Sequence, residues 1–168
     1  SCDNSNVIID GNALVRNNVY GGGNYGATGY SSSANTNNTS IKVKGGTING
    51  SVYGGGNNNG AGTSSKISTI NIDMTGGTVN GSVYGGSRTS GTVYGSTNVN
   101  ILGGVVTTDV YGGGEGNGTY VARDVAVKIG DNAYASEPNI KRSVYGGSAF
   151  GTVNNTTRNT NVSSYKTD

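Results

Sequence analysis

The stretch Gly76–Gly86, GGTVNGSVYGG, decides the fold. Valine, threonine and tyrosine favour pleated strands. The glycine pairs at either end punctuate a short extended segment. Val79 and Val83 stand four residues apart, so in an extended chain both face one way and Tyr84 faces the other. The same wording returns at Gly45–Gly56 (GGTINGSVYGGG), and Gly103–Gly114 (GGVVTTDVYGGG) keeps its frame. Looser copies carry Tyr20 (NNVYGGG) and Tyr145 (KRSVYGG). The marker tyrosines Tyr20, Tyr53, Tyr84, Tyr111 and Tyr145 are spaced by 33, 31, 27 and 34 residues.

Working outward, each repeat holds three strand-like pieces. Before the marker motif comes an alternating segment: Val7/Ile9, Ile41/Val43, Ile70/Ile72/Met74, Val99/Ile101 and Val125/Val127/Ile129, with Val162 opening an incomplete sixth copy. The V-x-x-x-V-Y segment is the second piece, in which Asn49–Gly50 and Asn80–Gly81 are either a turn or a bend within the strand. A third follows the Gly-Thr signals at Thr28, Thr63, Thr92, Thr119 and Thr152, which lie 8, 10, 8, 8 and 7 residues beyond the marker tyrosine. No segment has helical periodicity. Three short strands returning to the same words describe one coil of a β-solenoid, because a single coil cannot bury its apolar face until neighbours stack on it. The expected fold is therefore all-β, a parallel β-helix of about five coils of 27–34 residues, forming a single domain. Its repeats are expected at 5–39, 40–66, 67–96, 97–123 and 124–156, with a partial one at 157–168. Corner loops are expected at Ser31–Thr39 and Gly130–Glu137, the second holding the only proline, Pro138, at its edge. A β-propeller needs blades of about 40–50 residues, longer than this spacing.

Composition agrees. Glycine supplies 32 of the 168 residues, and leucine occurs only at Leu14 and Leu102. A core must then come from valine, isoleucine and tyrosine. The 11 basic and 9 acidic residues nearly balance, which removes the broad basic surface of a nucleic-acid binder. No apolar run is long enough to span a membrane. Cys2 is the only cysteine and reads as a free thiol, an intermolecular disulfide or a lipidated residue.

The marker tyrosines are expected to stack as a ladder along the solenoid, or else to present an aromatic strip to sugar rings or another protein. The glycine after each, Gly21, Gly54, Gly85, Gly112 and Gly146, is expected at a tight corner, where it allows positive φ and close backbone approach. Catalysis has little to draw on. There is no histidine, hence no histidine-based triad or metal site. The carboxylates are scattered; Asp73 and Asp109 could form a glycosidase-like pair only if the fold joined them. The glycine runs lack the lysine of a phosphate loop and the aspartates of calcium-binding nonapeptides, leaving Asp131 and Glu137 as chance cation ligands. No cofactor is expected. Asn49, Asn80 and Asn117 sit in glycosylation sequons. An ice-binding threonine face would need threonine at a fixed place in every coil, which the drifting Gly-Thr spacing opposes.

The run GGTVNGSVYGG, followed by GTVYGSTNVNILGG, resembles the VYGGG-type glycine-rich repeats of large adhesin-like surface proteins of gut and oral bacteria. The resemblance implies an extracellular β-helical stalk or adhesin and no catalytic residue. Neither end reads as a capping repeat, so the chain is expected to be a piece of a longer adhesin or a subunit that assembles head-to-tail into a surface filament. The leading expectation is a non-enzymatic extracellular structural protein whose partner is itself. An adhesin module for glycans or host surface proteins comes second, and a carbohydrate-active β-helix enzyme third.

Overall fold

A computed structural model describes residues 3–28, 36–62, 67–133 and 137–153. Cys2, Thr63, Val162 and the partial repeat at 157–168 lie outside the described residues. The chain is a β-solenoid, with parallel strands and no helix among the described residues. The first coil contains β1 (Ser5–Ile9), β2 (Leu14–Val15) and β3 (Val19–Tyr20). The second contains β4 (Thr36–Val43), β5 (Thr47–Ile48) and β6 (Val52–Tyr53). The third contains β7 (Ile67–Val79), β8 (Val83–Tyr84) and β9 (Ser90–Val93), and the fourth β10 (Thr97–Val106), β11 (Val110–Tyr111) and β12 (Gly118–Val121). The fifth contains β13 (Val125–Ile129), β14 (Asn139–Ile140), β15 (Val144–Tyr145) and β16 (Thr152–Val153).

Equivalent strands pair coil on coil. The first sheet runs β1-β4-β7-β10-β13, with β2, β5 and β14 extending it. The second runs β3-β6-β8-β11-β15, and the third β9-β12-β16, which Thr28 and Ala61 prolong by single bridges. The pairing places like residues in columns along the axis. Val7, Ile41, Ile72, Val99 and Val127 form one, and Ile9, Val43, Met74, Ile101 and Ile129 another. Val15, Ile48, Val79, Val106 and Ile140 line the next, then Val19, Val52, Val83, Val110 and Val144. Middle members of these columns are fully buried, each contributing roughly 1.5–3 kcal/mol of hydrophobic stabilisation. A core without phenylalanine or tryptophan is possible because each column repeats at strand spacing, about 4.8 Å, and β-branched side chains nest at that distance.

Three local expectations change. Val79 and Val83 both face the core but lie on different sheets, because Asn80–Ser82 turns the corner between β7 and β8. The Asn-Gly pair is therefore the bend between two faces. Strand β4 begins at Thr36, inside the segment read as a Ser31–Thr39 loop, because Thr36 already pairs with Ile67. The corner glycines also work differently from expectation. Gly21, Gly54, Gly85, Gly112 and Gly146 are not among the positive-φ residues; among the repeat glycines that conformation belongs instead to the second glycine of the pair that opens the motif, Gly46 (75°), Gly77 (78°) and Gly104 (82°). What the glycines after tyrosine require is space. A Cβ on Gly54 would run into the Gly85 carbonyl and Ile70, and one on Gly21 would lie 2.6 Å from Thr39 Cγ2. Pairing passes straight through these corners: the Gly21, Gly54, Gly85 and Gly112 amides each donate to the tyrosine carbonyl of the next coil at 2.9 Å.

Candidate functional site

The marker tyrosines end β3, β6, β8, β11 and β15 and occupy one register column. Inward valines fix the strand orientation, so each ring leaves on the face away from the core. Strand spacing then brings the rings into face-to-face contact. Centroids of Tyr20–Tyr53, Tyr53–Tyr84, Tyr84–Tyr111 and Tyr111–Tyr145 are 5.2, 5.0, 5.0 and 4.7 Å apart, with interplanar angles of 12°, 2°, 3° and 9°. Such pairs contribute about 0.5–1.5 kcal/mol each beyond area burial. Tyr53 and Tyr84 are only 3% and 8% exposed, whereas Tyr145 on the fifth coil is 45% exposed. In the middle coils the ring faces are thus occupied by other rings.

A polar clasp lies across the ladder. Glu115 accepts a hydrogen bond from the Tyr53 hydroxyl at 2.9 Å and sits 3.7 Å from Arg88 Nε. Arg88 Nη1 donates to the Tyr20 hydroxyl at 3.3 Å, and Asn18 Nδ2 donates to the same oxygen at 3.1 Å. Burial, reinforced by the Glu115 carboxylate, pushes the Tyr53 phenol well above its ordinary value. Burial raises Tyr84 and Tyr111 as well. The three middle rings of the ladder, Tyr53, Tyr84 and Tyr111, are therefore held as neutral phenols. Arg88 and Glu115 were not singled out from sequence. A signal existed: they occupy the fourth position after Tyr84 and Tyr111, so opposite charges fall at equivalent places in successive coils.

The other residues singled out from sequence are dispersed. Asp73 accepts from Asn100 Nδ2 at 2.8 Å on the first sheet, while Asp109, just before β11 of the second sheet, accepts from the Ser143 amide at 3.0 Å. Asp131 is engaged by Lys128 and by the Ala133 amide at 2.9 Å. Asn49 and Asn80 stand exposed at the corner, joined by an amide–amide hydrogen bond of 3.1 Å. The Gly-Thr threonines do not form one column: Thr92 and Thr152 align with Tyr120, Thr119 with Gly91 and Thr28 with Ala61. Thr28 and Thr119 are buried. No family model, curated protein or solved structure matches the chain.

Proposed function

We propose that this chain is a structural subunit of an extracellular, bacterial surface filament or stalk, in which the fifth coil of one copy stacks on the first coil of the next. The observation that carries the reading is the half-exposed Tyr145, whose equivalents Tyr53 and Tyr84 are sealed between neighbours. A further coil with a tyrosine in the same register would complete the stack, and the first coil carries one in Tyr20. The side chains beside it fit the same join. Val144, 44% exposed, would be covered by Val19, its column mate, which is itself only 6% exposed. Phe150 and Tyr25, 77% and 74% exposed, would meet as well. Successive hydrogen bonds (Asn58 N–H to Asn24, Thr89 to Asn57, Gly116 to Arg88 and Phe150 to Glu115) place Tyr25, Asn58, Thr89, Gly116 and Phe150 in one column. The two exposed aromatics therefore lie at its opposite ends. A contact between unlike faces that does not close propagates as a fibre. The surface location rests on the VYGGG-type resemblance and the low, balanced charge.

Electron microscopy of the purified, untagged chain at neutral pH tests this. Long fibres with an axial periodicity are expected, and the Val144→Asp variant should remain as discrete particles. Discrete particles from the unaltered chain at every concentration would overturn assembly.

A further inference from the structure

The outer face of the first sheet carries a second feature, independent of the tyrosine ladder and of the filament reading. Lys42, Asp73, Asn100 and Lys128 occupy one register column on β4, β7, β10 and β13. Lys44 follows Lys42 on the same outward alternation. Although Lys42 is paired in register with Asp73, they form no salt bridge; Asp73 is held by Asn100 at 2.8 Å. Neither Lys42 nor Lys44 is ion-paired among the described residues, whereas Lys128 is bound to Asp131.

Beside these lysines β10 departs from its register with β7, between Ile101 and Gly103. Irregularities of this kind re-aim a side chain, and here the residue concerned is Leu102. It is an apolar group on a face whose neighbours here are lysine, asparagine, threonine and aspartate, and unlike the exposed Ile8 paired with Lys42 it is only 9% exposed. Lys42, Lys44, Asp73, Thr75 and Leu102 together line a cleft of about 290 Å³, at the small end of ligand pockets. Next to it Asn98 Nδ2 donates to Asn71 Oδ1 at 2.9 Å, continuing a polar strip across the face.

These groups define a ligand. Two free ammoniums offer N–H donors to an anion, an apolar floor accepts a C–H face, and a carboxylate and a hydroxyl are placed to take ring hydroxyls. A pyranose ring bearing a carboxylate satisfies all of them at once. Neutral sugars leave the lysines unpaired, and small inorganic anions leave Leu102 without a partner. We propose that the cleft binds a uronic-acid unit of an acidic polysaccharide, with the carboxylate on Lys42 and Lys44, the ring on Leu102 and a hydroxyl donated to Asp73.

The test is fluorescence anisotropy of a fluorescein-labelled oligogalacturonate titrated with the whole chain. Fibres and particles both raise the signal on binding, so the outcome does not depend on assembly. Saturable binding that weakens with added salt is expected, uncompeted by neutral dextran oligomers. Lys42→Ala with Lys44→Ala should weaken it by about tenfold or more, since charge-assisted hydrogen bonds are lost. Leu102→Thr should weaken it with no change of charge, and Lys128→Ala, on the same face, should leave it unaltered. Absence of saturable binding would overturn the proposal. So would an equal loss in the Lys128→Ala variant, which would mean attraction to the face as a whole.

Discussion

Arg88 on the third coil and Glu115 on the fourth lie 3.7 Å apart, yet each also bonds a tyrosine two coils away, Arg88 to Tyr20 and Glu115 to Tyr53. Their mutual attraction is exposed to solvent and contributes little, under about 1 kcal/mol. The Tyr53–Glu115 bond is the shielded one. In double-mutant cycles the Tyr53→Phe/Glu115→Ala pair should couple by about 1 kcal/mol or more. The Arg88→Ala/Glu115→Ala pair should couple by less than half of that. Urea denaturation midpoints measure both, and the reverse order would place the clasp's strength in the ion pair.

The ladder should be graded in its contribution from middle to end. Tyr84→Ala removes a buried ring with a ring on each face and should cost about 3–5 kcal/mol. Tyr84→Phe keeps the stack and should cost about 1 kcal/mol or less. Tyr145→Ala removes one stacking contact from a half-exposed ring and should cost no more than about 1.5 kcal/mol. Equal losses for Tyr84→Ala and Tyr145→Ala in dilute solution would contradict this grading.

Glycines of two kinds should respond differently. Gly54→Ala and Gly85→Ala place a methyl against the next coil's carbonyl and should destabilise by about 1–3 kcal/mol or more, although neither residue has positive φ. At Gly11, with φ of 59° and open space around it, asparagine should be tolerated because it enters the left-handed region readily. Thermal melts of Gly54→Asn and Gly11→Asn make the contrast direct: the first should melt well below the wild type, the second close to it.

Alkaline stability follows from the phenols. Tyr53, Tyr84 and Tyr111 are all raised above their ordinary value, chiefly by burial. Unfolded tyrosines release protons near pH 10, where the folded ones still hold theirs. The unfolded state then binds fewer protons, so stability falls with rising pH. The stabilisation is present in full below about pH 10 and is lost as pH climbs toward the folded values. Tyrosinate absorbance should show part of the tyrosines ionising only with loss of β-structure by circular dichroism. The loss should be less steep in Tyr53→Phe.

Much of this was legible in the chain because the solenoid writes each column of its core as a repeated word. Val79 and Val83 could be assigned inward from alternation alone, and the tyrosine spacing gave the coils. The corner at Asn80–Ser82 was not, since the inward residues of a bent segment and a straight one alternate alike. Backbone angles were also hidden. Gly77 and Gly85 each stand in a GG pair, and only the coil beneath decides that one needs positive φ and the other needs emptiness. Arg88 and Glu115 escaped because their partners lie two coils away. Leu102 was conspicuous as one of two leucines, but its meaning depends on lysines contributed by a strand two coils earlier.

The amides of Gly21, Gly54, Gly85 and Gly112 each donate to the following coil, and others, such as those of Lys44 and Thr78, donate to the preceding one, so the backbone hydrogen bonds point along the stack. A pull from one end to the other loads those bonds in series, in the peeling rather than the shearing direction. Coils would then yield singly, from the outermost inward. Each releases the 27 to 34 residues between marker tyrosines, roughly 90–120 Å of extended chain. In the filament proposed above, such a stack would lengthen in steps under load and rewind when slack, spending the force of a sudden tug on its own coils.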